Sequence, residues 1–340
     1  MLRTFQVYPL LLLGIVTVVC CTEAGAQRLD PISSQWDSTN QVLFLKSDRG
    51  LVSRTYEDGS SQDIDIFRNV AGLQEVGVWG LTAGPDGTAL VAAALRIRNQ
   101  EPRGAVFTYG RAGELLKTWD LPPQSVDAMI YSADDDAVFV LGDRDVPAGA
   151  NAGESPLVLE YGQDGRLLKK LVPAGKLMNG GESLRGASDV GEPGLRVTRD
   201  YIYIYAPKNR EIVTCSRSED IVAVRSINDI VGRLSTEDGY HLEQTHHVDF
   251  TGDGDVVLEL LLFKDSGKSW MVDVVRVNPK TNEGVSVHKS PSTHPLWFIG
   301  VKGQQYLYVD DFRRLYVQTF ATQEAVPLTG NLIALARNTD

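Results

Sequence analysis

The sequence predicts an all-β protein: a β-propeller of six blades, four antiparallel strands to each. Three observations predict it. First, a strand-turn-strand phrase returns after about 52 residues, a period that marks repeat architectures. It reads Val106-Phe-Thr-Tyr-Gly-Arg-Ala-Gly-Glu-Leu-Leu-Lys-Thr-Trp119, then Val158-Leu-Glu-Tyr-Gly-Gln-Asp-Gly-Arg-Leu-Leu-Lys-Lys-Leu171, with a weaker copy around Tyr56. Second, each period holds room for four short apolar runs separated by Gly, Pro, Asn and Asp. Third, the chain beyond its N-terminal segment divides into about six such periods, each packing on its neighbours.

The elements follow in order. Residues 1–26 read as a secretory leader: Arg3 is the positive end, residues 10–19 the apolar run, and Ala24-Gly25-Ala26 the cleavage site. Val19 precedes Cys20 where a lipidated cysteine takes a small residue, so cleavage before Gln27 is expected. Residues 27–340 are then a single domain that retains one cysteine, Cys215, and so has no internal disulfide. The first unit shows three strands, at 42–46, 51–56 and 62–67, with no good innermost strand before them. The apolar segment 331–337, Asn331 to Arg337, is expected to pair with 42–46 and close the ring from the C-terminus.

The second unit is the clearest: 78–83, a Gly84-Pro-Asp-Gly87 turn, 88–95, 103–109 and 114–119. The innermost strands of units three to six are expected at 126–131, 194–198, 245–250 and 296–301. Tyr201-Ile-Tyr-Ile-Tyr205 alternates with period two, as a strand does. Almost no helix is expected outside the loops.

With strands A to D counted outward, A–B and C–D turns share one face and B–C and D–A connections share the other. The first set is tight, as at 84–87, 110–113, 162–165 and 252–254. The second holds the insertions: 96–102, 143–155, 173–192 and 227–244. Long loops gathered on one face of a rigid scaffold are where function is usually placed.

The starts of the A strands open onto that face around the axis. Counting back from the A–B turns aligns Trp79, Asp127, Glu192, His246 and the region of Leu296, with His294 and Asn331 nearby. Carboxylates, imidazoles and an amide meeting at one mouth are able to polarise a ligand or hold a divalent cation, Ca2+ or Zn2+. Equally, a wet channel mouth tolerates any polar residue. His246 and His247 are strand neighbours and are expected to point to opposite faces. Asp134-Asp-Asp136 and Asp253-Gly-Asp255 fall where turns are expected, and turn chemistry accounts for them. Cys215 reads as a small buried apolar residue. There is no phosphate loop, dinucleotide fingerprint or Cys-x-x-Cys pair.

The Tyr-Gly-x-x-Gly-x-Leu-Leu phrases and the Gly-Pro-Asp-Gly turn resemble those of six-bladed propellers of the NHL and gluconolactonase-like (TolB-like) group. The resemblance spans nearly the whole mature chain and rests on structural motifs. It implies, for some members, a calcium- or zinc-dependent lactonase or esterase with acidic and amide ligands at the channel mouth. Asp127 and Glu192 are the closest positions here; the group's paired asparagine ligands have no evident counterpart.

Two functions follow. The first is an exported, non-enzymatic binding or protein-interaction module acting through its long-loop face, secreted or periplasmic. The second is a divalent-metal-dependent lactonase or esterase, with the metal at the channel mouth. Formal net charge is −11, with Lys and Arg interspersed, which disfavours nucleic acid and anionic membrane as partners. No run in the mature chain is apolar enough to cross a bilayer. A protein or a small-molecule ligand remains.

Overall fold

The computed structural model describes residues 34–37, 42–46, 50–55, 61–122, 126–142, 156–173, 191–218, 221–236, 239–264, 266, 269–291, 293–311 and 314–328. Among them are six sheets, each of four antiparallel strands in chain order. Sheet one holds β1 (Ser34–Asp37), β2 (Val42–Lys46), β3 (Leu51–Thr55) and β4 (Ser61–Asp65). Sheet two follows a four-residue helix α1 (Ile66–Asn69) and holds β5 (Leu73–Ala83), β6 (Ala89–Ile97), β7 (Arg103–Tyr109) and β8 (Leu115–Leu121). Sheet three holds β9 (Ala128–Ser132), β10 (Ala137–Leu141), β11 (Pro156–Gly162) and β12 (Leu167–Pro173). Sheet four holds β13 (Gly194–Val197), β14 (Tyr201–Ala206), β15 (Glu211–Ser216) and β16 (Ile221–Ser226). After helix α2 (Asn228–Ser235), sheet five holds β17 (His241–Phe250), β18 (Val256–Lys264), β19 (Ser269–Asn278) and β20 (Glu283–Pro291). Sheet six holds β21 (Leu296–Lys302), β22 (Gln305–Asp310), β23 (Leu315–Thr319) and β24 (Val326–Pro327).

The first strands of the sheets touch in succession: β1 on β5, β5 on β9, β9 on β13, β13 on β17, β17 on β21, and β21 back on β1. Sheets arranged about an axis by their first strands are the blades of a β-propeller. The core lies between blades, so a strand is covered on both faces. Ile202 and Ile204 pack into the cluster shared with blade three, whereas Tyr205 packs into the cluster shared with blade five. The alternation in 201–205 therefore records two cores, not one wet and one dry face.

The repeated phrase is a joint between blades. Tyr109 and Tyr161 are buried. The second glycines, Gly113 and Gly165, sit at φ +86° and +80°, where a side chain strains the backbone. A Cβ on Gly165 would stand 2.5 Å from the Trp119 ring of the blade before, and one on Gly113 would strike Gln62. The C–D turns of blades two and three thus lie against the D strands of blades one and two.

The first blade departs from expectation. β2 pairs with β1 on one edge and β3 on the other, so no edge is left for 331–337 to close the ring. Those residues, like 1–26, lie outside the described residues. The innermost strand is Ser34-Gln-Trp-Asp37, which has one large apolar side chain and is held by specific contacts rather than general apolarity. Trp36 packs against Ile299, Val309 and Val317 of blade six, and its Nε1 donates to the Val301 carbonyl at 3.1 Å. The strand meets Gly300, whose φ is +150° and whose absent Cβ would lie 2.8 Å from the Trp36 Cβ. Gly300→Ala is expected to cost on the order of 3 kcal/mol, from strain and overpacking together. Urea denaturation measures it, and a loss below about 0.5 kcal/mol would show that the seam adapts freely.

Helix α2 lies inside the connection expected at 227–244. Ile230, Val231 and Leu234 turn into the core between blades four and five. Gly232 in its middle weakens the helical signal in the sequence. Turn chemistry accounts for the acidic runs: Asp135 accepts from Ser132 at 2.5 Å, Asp136 accepts from the Tyr131 hydroxyl at 2.8 Å, and Asp255 holds Arg276 at 2.6 Å. Cys215 is buried and unbridged.

Candidate functional site

Strand A of every blade carries a polar residue near its end, and several of these reach the backbone of the next blade. Asp37 accepts from the Thr82 hydroxyl at 2.8 Å and the Ala83 N–H at 2.9 Å. Thr82 in turn accepts from the Tyr131 N–H at 3.0 Å. Asp249 accepts from the Val301 N–H at 2.7 Å, and Arg196 donates to the Phe250 carbonyl at 2.8 Å. These links hold the inner strands around an axial cavity of about 330 Å3.

The cavity is lined from blades one to five. Trp79, Asp127 and Glu192 are among its walls, together with Asp37, His247 and Asp249. Among the described residues its lining contains four carboxylates and one imidazole, and no Lys or Arg. Such a space favours cationic groups and hydrogen-bond donors. Trp79 lies in a β-bulge of β5, and its ring extends over Gly104, where a Cβ would stand 3.3 Å away. It also packs on the apolar cluster shared by blades two and three, which holds Leu121, Met129 and Tyr131, as well as bordering the cavity. Glu192 is positioned by backbone: its N–H donates to the Thr245 carbonyl at 3.3 Å, beside a parallel bridge from Gly191 to Thr245.

Two expected site residues fall elsewhere, and a third is not among the described residues. His246 is not part of the lining; His247 is. A bulge between Thr245 and His247 shifts the register by one residue, and no sequence signal marks it. His246 instead stacks on Trp297, centroids 5.8 Å apart, with Nδ1 3.6 Å from the buried Glu259. His294 is exposed in the turn between β20 and β21, its N–H donating to the Pro291 carbonyl, and is not among the lining residues. Asn331 lies outside the described residues. Asp37 and Asp249 are not among the expected residues, and His247 enters there only beside His246 and His294; for the two acids the sequence signal is a polar residue at the end of an A strand.

His247 carries the strongest electrostatic coupling at the cavity. Its Nδ1 lies 3.5 Å from Glu192 Oε2. Burial works against its charge, but Glu192, Glu259 and Asp249 outweigh that and hold its pKa above the usual histidine value. Burial raises the Asp249 carboxyl, against the pull of the Val301 and Phe250 N–H groups. A raised histidine pKa gives stability that is present below the unfolded value of about 6.5 and lost as pH rises through the folded value. Glu192→Gln is therefore expected to lower the His247 pKa by NMR titration. It should cost about 0.5–1 kcal/mol near pH 5.5 and almost nothing near pH 8.5, a modest figure because Glu192 is half exposed. Equal losses at both pH values would refute the coupling.

Among the described residues no three His, Cys, Asp or Glu side chains are grouped so as to hold a metal ion. Asp127 and Glu192 border the same cavity, but they are not part of such a group. Among the described residues no helix is long and apolar enough to cross a membrane.

No protein-family model and no curated protein matches the chain. Similar folds occur among solved structures. BamB from Moraxella catarrhalis aligns with a TM-score of 0.44 at 15% identity, over 90% of both chains. The β-propeller domain of Cps50 (Swd1) from Myceliophteria thermophila aligns at 0.44 and 12%, over 87% of this chain and 86% of that one. The GH74 xyloglucanase from Xanthomonas campestris aligns at 0.50 and 11%, over 87% of this chain and 45% of that one. At such identities the likeness is one of fold and extends to no activity or partner. The sheets and their succession about the axis make this chain a β-propeller protein.

Proposed function

We propose that the chain is an exported binding or protein-interaction module, a six-bladed propeller whose ligand engages the axial cavity from the long-loop face. The observation that carries this reading is the convergence of five blades on one cavity walled by Asp127, Glu192 and His247. Only there do residues from distant repeats meet around one ligand. The longest connections between described strands, 142–155, 174–193 and 227–240, all join B to C or D to A, so the strand ends they link are at the face where the A strands begin. The leader-like residues 1–26 support export to a periplasm or the cell exterior. The repeated Tyr-Gly-x-x-Gly phrases support a place near the NHL and gluconolactonase-like group. The metal-dependent lactonase or esterase reading has no comparable support, since no such group of three ligands is found among the described residues.

The test is NMR of the five histidines, His241, His246, His247, His288 and His294, during a screen of small fragments of varied charge. Binders are expected to shift His247 first and to lose affinity in Glu192→Gln and Asp127→Asn. Shifts confined to the exposed His241 and His294, or none across the screen, would refute an axial site.

A further inference from the structure

We propose that the rim of blades two to four is a second contact surface, which takes an acidic protein segment lying across the outermost strands. It is separate from the axial site and near the opposite, tight-turn face.

The outermost strands of blades two, three and four share a defect in their pairing. Thr108 faces Lys117 and Tyr109 faces Leu115, so Leu116 has no opposite residue. Leu168 is skipped in the same way between Leu167 and Lys169, and Val222 between Ile221 and Ala223. Each is a β-bulge two residues into its strand. Each carries a large aliphatic side chain in the open: Leu116 is 55% exposed, Leu168 40% and Val222 58%. Leu167 beside them is 37% exposed.

Bulges on edge strands are an ordinary defence against strand addition. That defence calls for a charge at the bulge, not a leucine. Blade five shows the alternative: its bulged residue, Val287, is half-buried, and the Val287 carbonyl accepts from Gln318 of the next blade at 2.8 Å. The bulges of blades two to four hold aliphatics that stay exposed, in contrast to Val287. Blades two and three form one continuous patch, because Lys117 Nζ reaches the Gln163 carbonyl at 3.3 Å and Trp119 packs on Tyr161 with ring centroids 4.9 Å apart.

Charge selects the occupant. On a chain of net charge −11, β8 and β12 carry exposed Lys117, Lys169 and Lys170. The one acid on these two strands, Asp120, is paired with Arg103. Aliphatic knobs beside lysines complement a segment bearing aliphatic and carboxylate side chains. A partner strand is disfavoured because the bulges break the ladder it would extend. Self-contact of two such rims would set lysine against lysine.

The probe is a labelled amphipathic peptide of leucines and glutamates, read by fluorescence anisotropy against its leucine–lysine counterpart. The acidic peptide is expected to bind, and more weakly at high salt. Leu116→Ser/Leu168→Ser and, separately, Lys117→Glu/Lys170→Glu should each weaken it about tenfold or more; Lys169 is left in place because it lies 3.8 Å from the buried Glu160. These side chains are exposed, so melting temperatures should hold and exclude unfolding as the cause. No binding, equal binding of the lysine peptide, or binding untouched by both variants would overturn the proposal. So would self-association by sedimentation that Leu116→Ser/Leu168→Ser removes, since the occupant would then be a second copy. Each outcome is independent of what the axial cavity binds.

Discussion

Trp36→Ala is expected to destabilise the protein by about 3–5 kcal/mol, the range for truncating a buried tryptophan. The side chain is 4% exposed and packs with Leu43, Ile299, Leu307, Val309 and Val317, so it joins blade one to blade six. It also donates to the Val301 carbonyl, and the Lys302 amine lies 5.5 Å over its ring. Trp36→Phe keeps most of the packing and loses the hydrogen bond, and about 1–2 kcal/mol is expected for it. By contrast, a chain ended after Leu328 keeps all four strands of sheet one. Urea denaturation of the three proteins decides the matter. If the truncated chain fails to fold while Trp36→Ala is nearly neutral, the role given to β1 is wrong.

Asp37→Ala is expected to be nearly as damaging, at about 2–4 kcal/mol, for a different reason. The carboxylate is 6% exposed and accepts from both the Thr82 hydroxyl and the Ala83 N–H. Its removal strands two buried donors, each costing about 1–3 kcal/mol. Asp37→Asn retains one acceptor oxygen and should recover roughly half of the loss. Thr82 also serves Tyr131, so Asp37→Ala and Thr82→Val should be strongly non-additive in a double-mutant cycle. Additivity within about 0.3 kcal/mol would mean that the link from blade one to blade three is not shared.

Much of the fold was legible because it repeats. Tyr109, Gly113, Tyr161 and Gly165 do the same mechanical work one blade apart, and that work demands those residue types. β1 was not legible, because its burial rests on one indole and one carboxylate whose partners lie on blades six and two. Apolarity favoured 331–337 for that place, but specific contacts decided it. At the cavity, counting back from the turns points to Trp79, Asp127 and Glu192, all three of which line it, although Trp79 itself lies in a bulge of β5. It failed at His246 because the bulge in β17 is a backbone event with no marker residue. Asp37 and Asp249 were passed over because an acid at a strand end looks like turn chemistry until its partner is known.

The way blade one is built bears on the order of events in time. Its four strands are contiguous in the chain, and among the described residues no strand is exchanged between the two ends of the ring. The six blades form a strip whose last act is to bring β21 against β1, across the largest sequence separation in the molecule. Contacts of that kind form late, after the rate-limiting step has been crossed. Substitutions at Trp36 and Gly300 should therefore leave the refolding rate almost unchanged and quicken unfolding, whereas the Gly165–Trp119 joint should influence both. The clasp between blades six and one sets how long the ring stays shut, and the repeats set how fast it is made.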